Sequence, residues 1–134
     1  MKPLVSVCIP AYNRDVYIKK TMESVLSQEY ENIELVVVDD CSRDNTLEVV
    51  RSVKDPRVRI VKNEKNLGMT GNWNKCLAEA KGDYIKLICA DDILYRDSIK
   101  KELRALLKHP EVTLVMSDTA LIDEKGERTG CFKR

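Results

Sequence analysis

Short continuous apolar runs alternate with stretches of helical periodicity along most of the chain. Leu4 to Ile9 reads as a buried strand stopped by Pro10, and Ile33 to Val38 and Tyr84 to Ile88 read the same way. Val58 to Val61 alternates like a half-buried strand. Between the first two runs, Val16, Met22, Val25 and Leu26 recur at helical spacing from Val16 to Gln28, and Asp15 stands where it can cap the start. Asp44-Asn45-Thr46 opens a second helix that reaches Val53 and ends before Asp55-Pro56. A glycine-bearing loop from Asn66 to Gly71 leads into a helix carrying Trp73, Cys76, Leu77 and Ala80, with Gly82 as its stop. Asp97 to Lys108 is amphipathic, with Ile99, Leu103, Leu106 and Leu107 on one face. Val112 to Met116 is expected to form a fifth strand, and Ala120 to Ile122 to begin another before a turn at Lys125-Gly126.

Strand-helix alternation of this kind implies an α/β domain, a mostly parallel, Rossmann-like sheet with helices on its faces. No Gly-x-Gly-x-x-Gly follows the first strand and no phosphate-loop motif is present, which disfavours ordinary dinucleotide binding. The 134 residues suffice for one domain and its core. At 43% hydrophobic and 34% charged residues the chain is globular rather than disordered. A formal net charge of +1 gives no field to hold nucleic acid or an anionic membrane, so a polyanionic ligand needs local recognition. No apolar run approaches the ~18 residues of a spanning helix, and Lys2-Pro3 leads straight into a strand rather than a signal peptide. The five cysteines are scattered, with no Cys-x-x-Cys, and a reducing cytoplasm is the expected location.

Candidate chemistry concentrates at the ends of two apolar runs. Asp39-Asp40 follows Ile33 to Val38, and Asp91-Asp92 follows Tyr84 to Ala90. Adjacent carboxylates repel, so each pair is costly unless hydrogen donors or a cation sit beside it. If the strands are parallel, both pairs reach the sheet edge at which open α/β folds bind ligands. Ionised carboxylates only accept hydrogen bonds, which suits Asp39 or Asp40 to a base N–H or a ribose hydroxyl. One or two aspartates at a loop tip suffice to hold Mg²⁺ or Mn²⁺ while phosphates and water complete its shell. The bland alternatives are a solvated strand end for the first pair and an exposed acidic turn for the second, with Asp44 or Ser42 as a helix cap.

Other residues carry less. Tyr12, in Pro10-Ala11-Tyr12-Asn13-Arg14, can stack on a base or simply sit in a turn that Pro10 stiffens. Backbone N–H groups around Asn66, Gly68 and Asn74 suit an anion at a helix start. Trp73 is expected to pack in the core, and His109 to sit at a helix end, where it offers no Ser-His-Asp triad.

Taken together, Val5 to Arg14, Val36 to Thr46, Asn66 to Asn74 and Gly82 to Leu94 resemble the successive signatures of family-2 glycosyltransferases with the GT-A fold. The resemblance is collinear over nearly the whole chain. It implies a single GT-A domain over 1–134, with a nucleotide-sugar-binding part at 1–95 and the start of an acceptor-side part at 96–134. The nucleotide would be held by Pro10, Tyr12, Asp39, Asp40, Asn66, Gly68, Asn74 and Asp91. Asp91 would face the ribose or sugar, and Asp92 would bind Mn²⁺ or Mg²⁺. The implied activity is metal-dependent transfer of a sugar, from a UDP-sugar above all, to a hydroxyl of a saccharide or other acceptor, with inversion.

Three features depart from the family pattern. Cys89 stands where many relatives carry an aspartate, Trp73 where many carry an arginine, and the chain ends before the segments that supply acceptor contacts and the catalytic base. An inverting transfer needs a carboxylate to take the acceptor's proton, and no acid here matches it, so no catalytic residue is assigned. A non-catalytic nucleotide-sugar-binding module is therefore the alternative expectation. A truncated sheet would expose apolar surface, which makes a homo-oligomer an expected partner. A phosphoacceptor receiver domain fits poorly, because its acidic pair follows the first strand.

Overall fold

The computed structural model describes residues 2–133 and divides into two compact units, Met1–Ile99 and Lys100–Arg134. In the first, strands β1 (Val5–Ala11), β2 (Ile33–Asp39), β3 (Val58–Lys62) and β4 (Tyr84–Leu87) form one sheet in the order β3-β2-β1-β4. All three pairings are parallel. The connections carry α1 (Ile18–Leu26), α2 (Thr46–Ser52) and α3 (Gly68–Glu79), and α4 (Ser98–Lys108) follows β4.

Why β1 and β2 are continuous apolar runs is visible in their surroundings. Side chains alternate across a strand, so Cys8, Val36 and Val38 pack with Cys76 of α3 on one face. Val7, Ile9, Leu35 and Val37 point to the other, and all are fully buried. Ile18, Met22 and Val25 of α1 and Val50 of α2 are buried as well. Burial pushes the Cys8 and Cys76 thiols up to about 11 and about 12, so both remain protonated. All five cysteines are free.

Pro10 does not end β1 as the sequence suggested; the strand runs on to Ala11, paired with Asp39. The ladder to β4 stops at Cys8↔Leu87, whereas the ladder to β2 continues through Pro10↔Val38. Proline has no N–H to give, and it occupies the stretch where one neighbour has already departed. The sheet order reverses at β1, so the switch point of this open sheet, where such folds bind ligands, lies between β1 and β4.

Other expectations need correction. Helix α1 starts at Ile18 with no side-chain cap; Asp15 instead donates its N–H to Asp44 Oδ2 at 3.2 Å, and Val16 is 73% exposed. Helix α3 begins at Gly68, inside the expected loop, and Leu77 lies exposed on it. Gly82 is a close-approach residue: a Cβ there would lie 2.7 Å from Leu4 O and Ser6 N. Val112 to Met116 forms no strand, and its Val112, Leu114 and Met116 side chains are exposed. The second unit has an antiparallel hairpin instead, β5 (Thr119–Ile122) and β6 (Arg128–Phe132), turning at Gly126 with φ +86°. Within α4, Ile99 and Leu103 are buried but Leu107 is exposed.

Candidate functional site

The first aspartate pair ends β2. Asp39 and Asp40 are 1% and 2% exposed, so both carboxylates are removed from solvent. Their environments differ. Asp40 Oδ1 accepts from Asn63 Nδ2 and from Leu67 N–H, each at 2.8 Å, and Asp40 O accepts from Asn66 Nδ2 at 3.0 Å. Asp39 Oδ2 accepts one long bond from Ser42 N–H at 3.3 Å, and Asp39 Oδ1 is buried with no partner. A buried acceptor left unpaired costs about 1–3 kcal/mol; at the end of β2, Asp40 Oδ1 has two donors while Asp39 Oδ1 is fully buried with none.

Backbone turns bring the neighbouring loops to this edge. Asn13 and Cys41 both have positive φ, at 52° and 58°. Asn13 Oδ1 accepts from Arg43 N–H at 2.8 Å, and Ser42 Oγ accepts from Asn13 N–H at 3.1 Å, so the loops after β1 and β2 are stitched together. Asn45 is the N-cap of α2 and its side chain makes no capping bond; Asp44, one residue earlier, accepts from Thr46 N–H at 2.9 Å. Burial opposes ionisation of Asp44, but donation from Thr46 and from Asp15 N–H outweighs it and leaves its carboxyl below the usual range.

Of the nucleotide-site candidates, Pro10 is half-buried within β1 and Tyr12 is 39% exposed just past it. Asn66 has both ends of its amide engaged locally, since its Oδ1 also accepts from Gly68 N–H at 3.0 Å. Gly68 has φ +73° with open space beside it, and Asn74 is exposed on α3. Trp73 is half-buried, and His109 pairs with Glu111 at 3.3 Å on the surface.

Asp91 and Asp92 are exposed in the turn after β4. Thr21 Oγ1 of α1 donates to Ala90 O at 3.0 Å, and Arg14 Nε reaches Asp91 Oδ2 at 3.1 Å, tying this turn to α1 and to the loop after β1. Among the described residues, Cys89 Sγ and one carboxylate oxygen each of Asp91 and Asp92 lie within 4.8 Å of one another. Burial and then the Asp91 charge push the Asp92 carboxyl up, with a thiol hydrogen bond from Cys89 acting the other way. Burial, Asp92 and Asp91 likewise push the Cys89 thiol up. Arg14 offsets the charge of Asp91, and the two carboxylates are the hard oxygen donors Mn²⁺ or Mg²⁺ prefers.

The sequence pointed to Asn72 only for its backbone N–H and did not mark Asn63. Asn63 Nδ2 also donates to Asn72 Oδ1 at 2.9 Å, and Asn72 Nδ2 donates to Val38 O at 3.1 Å. The signal available was Asn72 inside a helix that packs on the sheet, where an amide is out of place unless it is paired. A surface groove lined by Val53, Pro56, Val58 and Ile60 lies beside β3 and includes none of the candidate residues.

The family model described as Glycosyl transferase family 2 matches residues 6–129. An uncharacterized glycosyltransferase of Haemophilus influenzae is 33% identical over 128 residues, covering 94% of this chain and 51% of that protein. The UDP-Glc:alpha-D-GlcNAc-diphosphoundecaprenol beta-1,3-glucosyltransferase WfaP of Escherichia coli is 40% identical over 100 residues, covering 75% and 40%. Among solved structures, S. aureus TarS 1-349 in complex with UDP-GlcNAc superposes with TM-score 0.74 at 31% identity, covering 82% of this chain and 32% of that one. The mannosyltransferase PcManGT of Pyrobaculum calidifontis, in complex with GDP-Man and Mn²⁺, shares the fold at TM-score 0.74 and 23% identity, over 93% and 37%. The chain spans about half or less of the length of these relatives. The parallel sheet, its flanking helices and these likenesses are those of GT-A glycosyltransferases. The chain belongs to glycosyl transferase family 2.

Proposed function

We propose that this chain is the nucleotide-sugar-binding portion of a metal-dependent glycosyltransferase that uses a UDP-sugar. The observation that carries the reading is Asp39, buried at the C-terminal end of β2 with an oxygen that lacks a donor. An imide N–H of uracil supplies such a donor. The complexes of TarS with UDP and UDP-GlcNAc, and the UDP-Glc donor of the WfaP glucosyltransferase, support the same base.

In this reading residues 1–95 bind the donor and residues 96–134 begin the acceptor side. Tyr12 lies against the base, with Pro10 stiffening its turn, and Asp39 and Asp40 form the nucleoside end. Asn66, Gly68 and Asn74 line the same pocket along the start of α3. Asp91 faces the ribose or sugar, and Asp92 holds Mn²⁺ or Mg²⁺ with Asp91 nearby. A bound divalent ion would neutralise charge on the diphosphate leaving group. Transfer is to a saccharide or other hydroxyl and is inverting, with the base that deprotonates the acceptor unassigned.

A thermal-shift comparison of UDP with and without Mn²⁺ tests the binding half, because a ligand held only by the native state raises the melting point by mass action. The expected result is a metal-dependent rise that Asp92→Ala removes. A flat response to UDP, with and without the ion, would sink the donor-site reading. Incubation with UDP-sugars then separates a transferase, which releases UDP, from a module that binds without turnover.

A further inference from the structure

Behind the aspartate pair lie two asparagines whose amides never reach solvent. Asn63 is 6% and Asn72 3% exposed. Asn72 sits in the interior of α3, where asparagine is a poorer helix former than alanine by ~0.6 kcal/mol. A buried amide adds a desolvation penalty unless every donor and acceptor is paired. Packing and helix formation alone would favour an apolar residue here, so the polarity calls for another explanation.

Hydrogen bonding supplies one. Both hydrogens of Asn63 Nδ2 are committed, one to Asp40 Oδ1 at 2.8 Å and one to Asn72 Oδ1 at 2.9 Å. Asn63 N–H donates to Asp39 O at 2.9 Å, and Asn63 O accepts the Cys41 thiol at 3.0 Å. Asn72 Nδ2 closes the circuit on Val38 O, the carbonyl just before Asp39, at 3.1 Å. The two asparagines thereby grip Val38 and Asp40 with their side chains and Asp39 O with the Asn63 backbone N–H. What they leave untouched is the Asp39 side chain, whose Oδ1 is the one carboxylate oxygen of the pair that is buried without a partner.

We propose that Asn63 and Asn72 are positioning residues of the nucleotide site, fixing Asp40 through its Oδ1 and the end of β2 through Val38 O so that the unpaired Asp39 Oδ1 is held as the acceptor for the base. This rests on the nucleotide-binding reading and deepens it by separating the roles of the two carboxylates. The ligand class follows from the geometry. A base with a ring N–H at the contacted position, as in uracil, completes the unpaired oxygen. A base with a ring acceptor there, as in cytosine, leaves two acceptors facing each other. Sites built to hydrogen-bond one partner reject the mismatched one strongly only while the site's own groups are held in place. Loss of the relay frees Asp40 and Asp39 to rotate and admits water, so base discrimination falls along with affinity.

The test is calorimetric titration of the purified chain with UDP and with CDP in the presence of Mn²⁺, for wild type, Asp39→Asn, Asn72→Ala and Asn63→Ser. Wild type should prefer UDP by about tenfold or more. Asn72→Ala and Asn63→Ser should bring the UDP to CDP ratio of Kd values close to one while retaining a cooperative melt. Either asparagine variant serves if the other fails to fold. A purely structural role would lower the melting temperature and leave that ratio unchanged, which overturns the proposal. Loss of UDP binding in Asp39→Asn, with the ratio intact in both asparagine variants, overturns the relay while leaving the nucleotide site standing. If wild type and Asp39→Asn bind UDP equally, or neither binds, the nucleotide reading fails and the relay fails with it.

Discussion

Two glycines separate the ways in which a single residue can be required. Gly68 needs its positive φ of +73°, yet a Cβ there would meet nothing within 4 Å. Gly68→Ala should therefore cost only the left-handed penalty of about 1–2 kcal/mol. Gly82 is the converse, because a Cβ would press 2.7 Å from Leu4 O and Ser6 N, both backbone atoms at the N-terminal end of β1. Backbone cannot rotate away as a side chain can, so Gly82→Ala should cost about 3 kcal/mol, at the upper end for overpacking. Urea midpoints at constant m-value give the ranking directly, and a larger loss at Gly68 than at Gly82 would contradict it. The sequence marked both glycines but gave both the wrong context. Neither a close approach to a strand more than 70 residues earlier nor the first residue of a helix has a local signature.

Among the elements, α2 depends most on its first turn. It spans Thr46–Ser52, too short to be stable by propensity alone. Asp44 accepts from both the N–H and the hydroxyl of Thr46 and from Asp15 N–H, so one carboxylate holds the helix start and the loop after β1 together. Asp44→Ala should destabilise the chain by about 1–2 kcal/mol, the size of a lost charged hydrogen bond, and amide exchange should quicken in α2 before the sheet. Uniform exchange would show that the Asp44 bonds are dispensable. Strands β1 and β2 were legible because burial on both faces demands unbroken apolar runs. Val112 to Met116 carries the same local character, but β1 has partners on both sides, whereas Leu114 and Met116 stay exposed in no strand. A β-run becomes a strand only when another strand is there to pair with it.

At the scale of the whole molecule, carboxylates that gain donors on folding set the response to acid. Hydrogen bonds from the Arg57 side chain and then its N–H pull Asp55 from 3.8 down to about 2. Burial opposes ionisation of Glu34, but donation from Ser6 and Lys81 N–H and the Arg59 charge leave it below its ordinary value. A carboxyl depressed on folding contributes stability that is complete above its unfolded value and is lost as pH falls through its folded one. The urea midpoint should thus hold steady above pH ~5 and decline between pH ~4 and ~2. Asp55→Asn should remove part of that decline, about 1 kcal/mol once solvent screening is allowed for; an unchanged slope would show the Arg57 pairing to be idle. The sequence by itself determined the order of strands and helices through β4 and the arrival of both aspartate pairs at strand ends, because each follows from a local run. Only the tertiary structure decided that Asp40 Oδ1 has two donors and Asp39 Oδ1 none. Donors to Asp40 come from Asn63 and Leu67, and Asn63 is aligned in turn by Asn72. Whether a buried acceptor finds a donor depends on every group that folding brings within 3 Å of it, and two chemically identical neighbours in the chain can have opposite outcomes.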